Sequence, residues 1–269
     1  MADRLLPAFD SPTGIPYALI TLLPRKIRKT LKQASENNMY YNSINPQTGK
    51  WCEKQASPDG LGDSFYEYLL KSWILSGKKD EQARSMYESA RKAAEKSMLR
   101  KTPTTNLMHL GEQRSGRLDP QMGHLTCFVG GLYVLSASYG AISSNSSTKH
   151  EINCTRNCGL GPEVFHFEQV DVEGKSLCDN EKYYILRPEA IETCFICGES
   201  LEKHCRVEGG YSGIRDVYLI PVSHDDVQQS FFIAETLKYL LLIYSDVSFI
   251  SLDIHVFNTE AHPFHIRTL

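Results

Sequence analysis

Asp225-Asp226-Val227-Gln228-Gln229-Ser230-Phe231-Phe232-Ile233-Ala234-Glu235-Thr236 is the stretch that decides how the chain is read. Asp225 or Asp226 can cap a helix here, and Phe232, Leu237, Leu240, Leu241 and Tyr244 supply its apolar side. Phe231 and Glu235 stand four residues apart, which puts an aromatic ring and a carboxylate on one helical face. Downstream, the run from Phe249 to Phe257 half-alternates like a strand. It then breaks into the polar turn Asn258-Thr259-Glu260-Ala261-His262, ended by Pro263. An acid beside an aromatic ring, followed by a strand and an oxygen-rich turn, is a combination that sugar binding beside a metal would use.

Upstream, the periodicity predicts helical hairpins. Asp63–Ser76 reads as a helix closed by Gly77, with Phe65, Leu69 and Trp73 at four-residue intervals facing a core. Asp80–Lys101 reads as a second helix, with Met86, Ala90, Ala94 and Met98 on one stripe. Gly123–Tyr139 is a mostly apolar helix holding His124 and Cys127. A further helix begins near Pro188, a residue suited to the first turn. Tyr40–Asp59 is a loop by composition, Thr102–Leu118 a β-hairpin or loop, and 140–157 a polar stretch without apolar period. The basic run Lys26-Ile27-Arg28-Lys29 is read as the solvated face of a helix rather than a nucleic-acid patch.

The 269 residues carry a net charge of −3 and are 41% hydrophobic. That permits a real core and gives no general pull toward nucleic acid or anionic lipid. No stretch has the length of a membrane span, and the first seven residues lack the apolar core of a signal peptide, so no targeting segment is expected in the chain. Eight cysteines are too scattered to read as a disulfide framework. Cys194-x2-Cys197 with His204-Cys205 could form a zinc site, but Cys194 falls in a helix that carries other chemistry, and the structural reading is preferred. Asn145-Ser146-Ser147 and Asn153-Cys154-Thr155 are glycosylation sequons, meaningful in a lumenal chain.

Several carboxylates sit on structured elements. Asp63 opens a helix, Glu163 follows Gly-Pro in a turn, and Glu189 and Glu192 are three apart on one helical face. Carboxylates placed in this way can serve as a general acid and a general base. On pattern alone each residue also has an ordinary reading. A Glu at a helix start is favoured by the dipole, a Phe at helical spacing is core, and Asn258-Thr259-Glu260 is a plain turn.

Six blocks, in order, resemble glycoside hydrolase family 47, the class I α-1,2-mannosidases that trim N-linked glycans. Besides the two segments quoted first, they are Gly62-Asp63-Ser64-Phe65-Tyr66-Glu67-Tyr68-Leu69-Leu70-Lys71, His124-Leu125-Thr126-Cys127-Phe128, Gly159-Leu160-Gly161-Pro162-Glu163 and Leu186-Arg187-Pro188-Glu189-Ala190-Ile191-Glu192. The resemblance implies an all-α fold, an incomplete (α/α)7 barrel of helical hairpins with a C-terminal β-hairpin. Residues 1–269 would be a partial catalytic domain. The family's upstream part, with its usual general-acid helix, and internal segments near Ile20, between Gly140 and Asn157, and past Cys197 are expected to be missing.

By the same resemblance, Glu189 is the candidate base, Asp63 a carboxylate bearing on acid catalysis, and Glu163 another active-site acid. His124, Arg187, Glu192, Phe231 and Glu235 match positions lining the sugar site. Thr259 matches a threonine that holds Ca2+ through its hydroxyl and carbonyl. Cys127 matches a disulfide cysteine whose partner would be Cys154 or Cys158. Leu61 resembles the Golgi subgroup rather than the endoplasmic-reticulum type, which usually has arginine there. The implied substrates are high-mannose N-glycans, met in the Golgi or endoplasmic reticulum lumen. The implied activity is hydrolysis of terminal α-1,2-mannose, expected to be impaired in this chain. The rivals are a glycan-binding quality-control protein without turnover and a non-functional fragment.

Overall fold

Residues 25–102, 108–141, 159–167, 174–193 and 197–268 are described by a computed structural model. The basic run forms α1 (Arg25–Ala34). Ile27 and Leu31, one turn apart, are buried, while Lys29 and Lys32 face solvent. Arg28 is buried as well. It forms an ion pair with Asp80 and donates to Ser72 Oγ at 3.2 Å, so part of the charge run is structural.

After β1 (Gln55–Ala56), α2 (Asp63–Leu75) and α3 (Glu81–Ser97) pack on each other as a hairpin. Gly77, at φ +66°, turns the chain between them, and the carbonyl of Arg267 occupies the place a Cβ would take. Asp80 caps α3 by accepting a hydrogen bond from Ala83 N at 3.2 Å. Leu69 and Trp73 of α2 are buried against the expected stripe of Met86, Ala90, Ala94 and Met98. The expected helix to Lys101 stops at Ser97. Leu99–Lys101 is instead β2, paired antiparallel with β3 (Met108–Leu110), and that pairing brings Leu110 into the same core as Met98.

β4 (Glu112–Arg114) pairs with β1 and with β5 (Arg117–Asp119), and β6 (Gln121–Gly123) pairs with β7 (Val164–His166). A 3-10 turn, His124–Cys127, leads into α4 (Phe128–Ser138), which adds Phe128, Val129, Leu132 and Tyr133 to the first core. Cys127 is disulfide-bonded. Its two expected partners, Cys154 and Cys158, lie outside the described residues, as do Cys194, both sequons and residues 1–24.

A second core gathers Met122, Leu160, Phe165, Leu186, Ile191 and Phe232. It is framed by α5 (Glu189–Thr193), α6 (Cys197–His204) and the small hairpin β8 (Arg206–Val207) with β9 (Gly210–Tyr211).

The C-terminal helix departs from expectation. Asp225 and Asp226 do not cap it: Asp225 accepts from Ser212 Oγ and Val227 N, Asp226 has φ +62°, and helix begins only at Ser230. A π turn, Phe232–Thr236, precedes α7 (Leu237–Tyr244). The wider turn shifts the apolar face. Phe232 is buried and Leu237 and Leu240 touch the second core, but Leu241 and Tyr244 are 57% and 61% exposed. The expected strand from Phe249 shortens to β10 (His255–Phe257), paired with β11 (Pro263–His265). The described architecture is helix-rich with short strands, none longer than three residues, rather than all-α.

Candidate active site

Between the two cores lies a cleft of about 130 Å3. Asp63 and Glu67 reach it from α2, Glu189 from the first turn of α5, Glu235 from the π turn, and Thr259 from the turn joining β10 to β11. Four of these five, Asp63, Glu189, Glu235 and Thr259, were singled out in the sequence. Phe128 and Tyr239 line the same cleft and offer aromatic surface beside the acids.

The charges in this cleft strain against one another. The Glu235 carboxyl is pushed up to about 7, first by burial and then by the charges of Glu189 and Glu260. Burial also raises Asp63, with hydrogen bonds from Ser64 opposing and the Glu189 charge adding. Glu67 is raised by burial although Lys71, one turn on, pairs with it. Among the described residues no three His, Cys, Asp or Glu side chains are grouped closely enough to hold a metal ion by themselves, so a hard cation here would take its oxygens from the Thr259 turn, water and bound sugar, with the acids adding negative charge nearby.

The turn carrying Thr259 is fixed from two sides. Tyr68 Oη on α2 lies 3.0 Å from Thr259 Oγ1 and accepts from Thr259 N at 3.4 Å. Lys238 on α7 donates to the Ala261 carbonyl at 3.1 Å. Within the turn, Asn258 Oδ1 accepts from Glu260 N and His262 N.

Of the remaining expected residues, His124, Glu163, Arg187 and Phe231 lie outside the cleft lining. Arg187 grips Glu163 with its planar fork, donating from Nε to Oε2 at 2.7 Å and from a second nitrogen to Oε1. That positive charge also acts on Glu189. His124 is buried with Nδ1 3.7 Å from Glu189 Oε2 and its ring 5.6 Å from that of Tyr184, and its backbone N–H donates to the Glu163 carbonyl at 2.8 Å. Phe231 is half-buried at the start of the π turn. Glu192 belongs to α5, but its side chain is outside what the structure describes.

Backbone strain adjoins the cleft on three segments. Leu61 (φ +75°) precedes Asp63, Leu186 (φ +65°) precedes Glu189, and Ala261 (φ +55°) follows Thr259. Side chains rarely adopt this left-handed region, and such residues cluster where a site dictates the backbone. Besides Phe128 and Tyr239, which the sequence reading did not single out, Glu67, Tyr68 and Asp59 were not foreseen. Glu67 and Tyr68 were legible in principle, since i+4 from Asp63 and Ser64 returns to the same helical faces. Asp59 carried no signal; it is half-buried beside Gly123, where a Cβ would overlap its carboxylate.

The profile of Glycosyl hydrolase family 47 matches residues 23–266. The chain belongs to this family. It is 41% identical over 336 residues to mannosyl-oligosaccharide alpha-1,2-mannosidase IA of Spodoptera frugiperda, covering 99% of this chain and 50% of that protein. It is 39% identical over 338 residues to mannosyl-oligosaccharide 1,2-alpha-mannosidase IB of Homo sapiens, covering 100% of this chain and 52% of the relative. In three dimensions it resembles the alpha-1,2-mannosidase from Trichoderma reesei, with TM-score 0.75 and 26% identity over 90% of this chain and 60% of that one. The family 47 chain thus spans about half the length of the curated relatives it matches. The human alignment also runs over 338 positions against 269 residues here, so the relative has segments that this chain lacks. Membership of the family is consistent with a metal cofactor.

Proposed function

We propose that residues 1–269 are a partial catalytic domain, derived from an (α/α)7 barrel, that hydrolyses terminal α-1,2-linked mannose of high-mannose N-glycans with inversion. The observation that supports this most is the convergence of Asp63, Glu67, Glu189, Glu235 and Thr259, from four separate segments, on one cleft. Glu189 is assigned as the base that takes a proton from the attacking water. Asp63 bears on protonation of the leaving oxygen. Arg187, held by Glu163, supplies positive charge beside Glu189, and His124 supports the same carboxylate from the buried side. Tyr239 and Phe128 give the pyranose ring an apolar surface, and Phe231 and Glu192 are assigned to sugar binding by the family resemblance.

Thr259 would hold Ca2+ through its hydroxyl and carbonyl oxygens, with water and sugar hydroxyls completing a shell that this oxygen-seeking ion accepts without a carboxylate cage. Bound there, the ion supplies positive charge for sugar hydroxyls. The lumen of the Golgi or endoplasmic reticulum is the compartment in which high-mannose N-glycans are met.

Turnover is expected to be slow, because apolar faces of α7 and of the segment after it stand open to solvent. The test is mannose release from a high-mannose glycan, followed by proton NMR of the anomeric signals. The β-anomer should appear first, and Glu189→Gln should abolish release. Release that survives Glu189→Gln would overturn the assignment. Binding of glycan with no release by the wild type would favour the second reading, a glycan-binding protein, which the same open apolar faces support.

A further inference from the structure

The two strands that carry the Thr259 turn meet on a pair of histidines. His255 of β10 stands opposite His265 of β11. Asn258 N donates to His262 O at 3.0 Å, and Ile266 N donates to Ile254 O at 2.9 Å. Those two pairs therefore belong to the hydrogen-bonded set, and His255–His265 falls in the alternate set, where facing side chains come closest. Pro263, opposite Phe257 in that same set, loses no ladder bond through its missing N–H. The imidazole centroids are accordingly 4.2 Å apart, with the rings inclined at 44°.

The proton positions favour a metal as well. His255 Nδ1 lies 3.1 Å from the Ser251 carbonyl oxygen. A carbonyl only accepts, so Nδ1 carries a proton, and in the neutral ring Nε2 is then the nitrogen with the free lone pair. Metal-bound histidines use their second nitrogen in this way, which fixes both tautomer and ring orientation. His265 is exposed and His255 half-buried, so an ion can reach both from solvent.

We propose that His255 and His265 form a two-nitrogen site for a borderline transition-metal ion of the zinc type, clamping β10 to β11 below the turn that presents Thr259. Its chemistry separates it from the cleft: imidazole selects zinc, nickel and copper, whereas the cleft's oxygens suit calcium. Among the described residues no third His, Cys, Asp or Glu completes the group. Water fills the remaining positions, and the ion exchanges freely.

Zinc alone, titrated by calorimetry into the calcium-loaded chain, tests the site. The wild type should bind one zinc ion more than either His265→Ala or His265→Gln. His262→Ala, which removes an exposed histidine of the same hairpin, should match the wild type. Zinc should also raise the melting temperature of the wild type by more than that of either His265 variant. Equal zinc counts in wild type and His265 variants, no zinc bound by the wild type, or loss of the ion in His262→Ala would each overturn the two-histidine clamp.

Discussion

Burial holds the Asp59 carboxyl up to about 6, with the charges of Glu112, Glu163 and Asp63 adding to the effect. The folded value lies above the ordinary 3.8, so between these values the folded chain keeps a proton that the unfolded chain has released. Stability therefore falls as pH rises from about 4 through 6, and the loss persists above that window. Asp59→Asn removes the titration while keeping the shape. It is expected to be more stable than the wild type at pH 8, by up to about 3 kcal/mol, with the gain shrinking toward pH 4. Urea denaturation at the two pH values measures this, and an unchanged difference between them would contradict it. Leu61 offers a second test. Its side chain is 73% exposed while its backbone sits at φ +75°. Leu61→Gly should therefore stabilise by roughly 0.5–1 kcal/mol, the strain relieved exceeding the added freedom of the unfolded chain. A destabilised variant would mean that Leu61 makes contacts worth more than its strain.

The helices divide into two kinds. Met86 of α3 is fully buried in the first core, whereas Leu241 of α7 is 57% exposed. Met86→Ala should cost about 2–5 kcal/mol, and Leu241→Ala less than about 0.5 kcal/mol, by thermal or urea denaturation. Comparable costs would show that α7 is covered in solution. The same contrast explains what the sequence disclosed. The stripes of α2 and α3 were legible because Leu69, Trp73, Met86 and Ala90 repeat at helical intervals and bury together. Strands of two or three residues are too short to carry a period, so Thr102–Leu118 could be read only as a β-hairpin or a loop, and the β4–β5 hairpin in it shows only in the pairing. The π turn was hidden for another reason. Residues 232–236 have a helix-forming composition, and only their hydrogen bonding distinguishes the wider turn. In the site, Asp63, Glu189, Glu235 and Thr259 could be named because each lies in a block that resembles family 47; local pattern alone gave Glu189 and Thr259 ordinary readings. The grip of Arg187 on Glu163 joins residues 24 apart and belongs to the folded backbone, not to any local spacing.

At the scale of the whole molecule, two cores share one cleft, and the acids on either side of it depend on both being in place. α2 anchors the C-terminal hairpin through Tyr68 and Thr259, so segments 191 residues apart are tied together at the site itself. The apolar surface that remains open follows α7 into the segment beyond it, where Val247 is 89% exposed and Phe249 62%. Among the described residues no helix is long and apolar enough to cross a membrane, so this surface does not mark a helical span. Contiguous apolar surface of this kind ordinarily seats further protein. It bears on stability and rate rather than on whether the cleft recognises sugar. Recognition can therefore be measured apart from turnover, by titrating a high-mannose glycan into the chain with calcium and again with a chelator present. The account predicts binding that requires calcium and is lost in both Thr259→Ala and Asp63→Asn; binding indifferent to calcium and to both substitutions would contradict it.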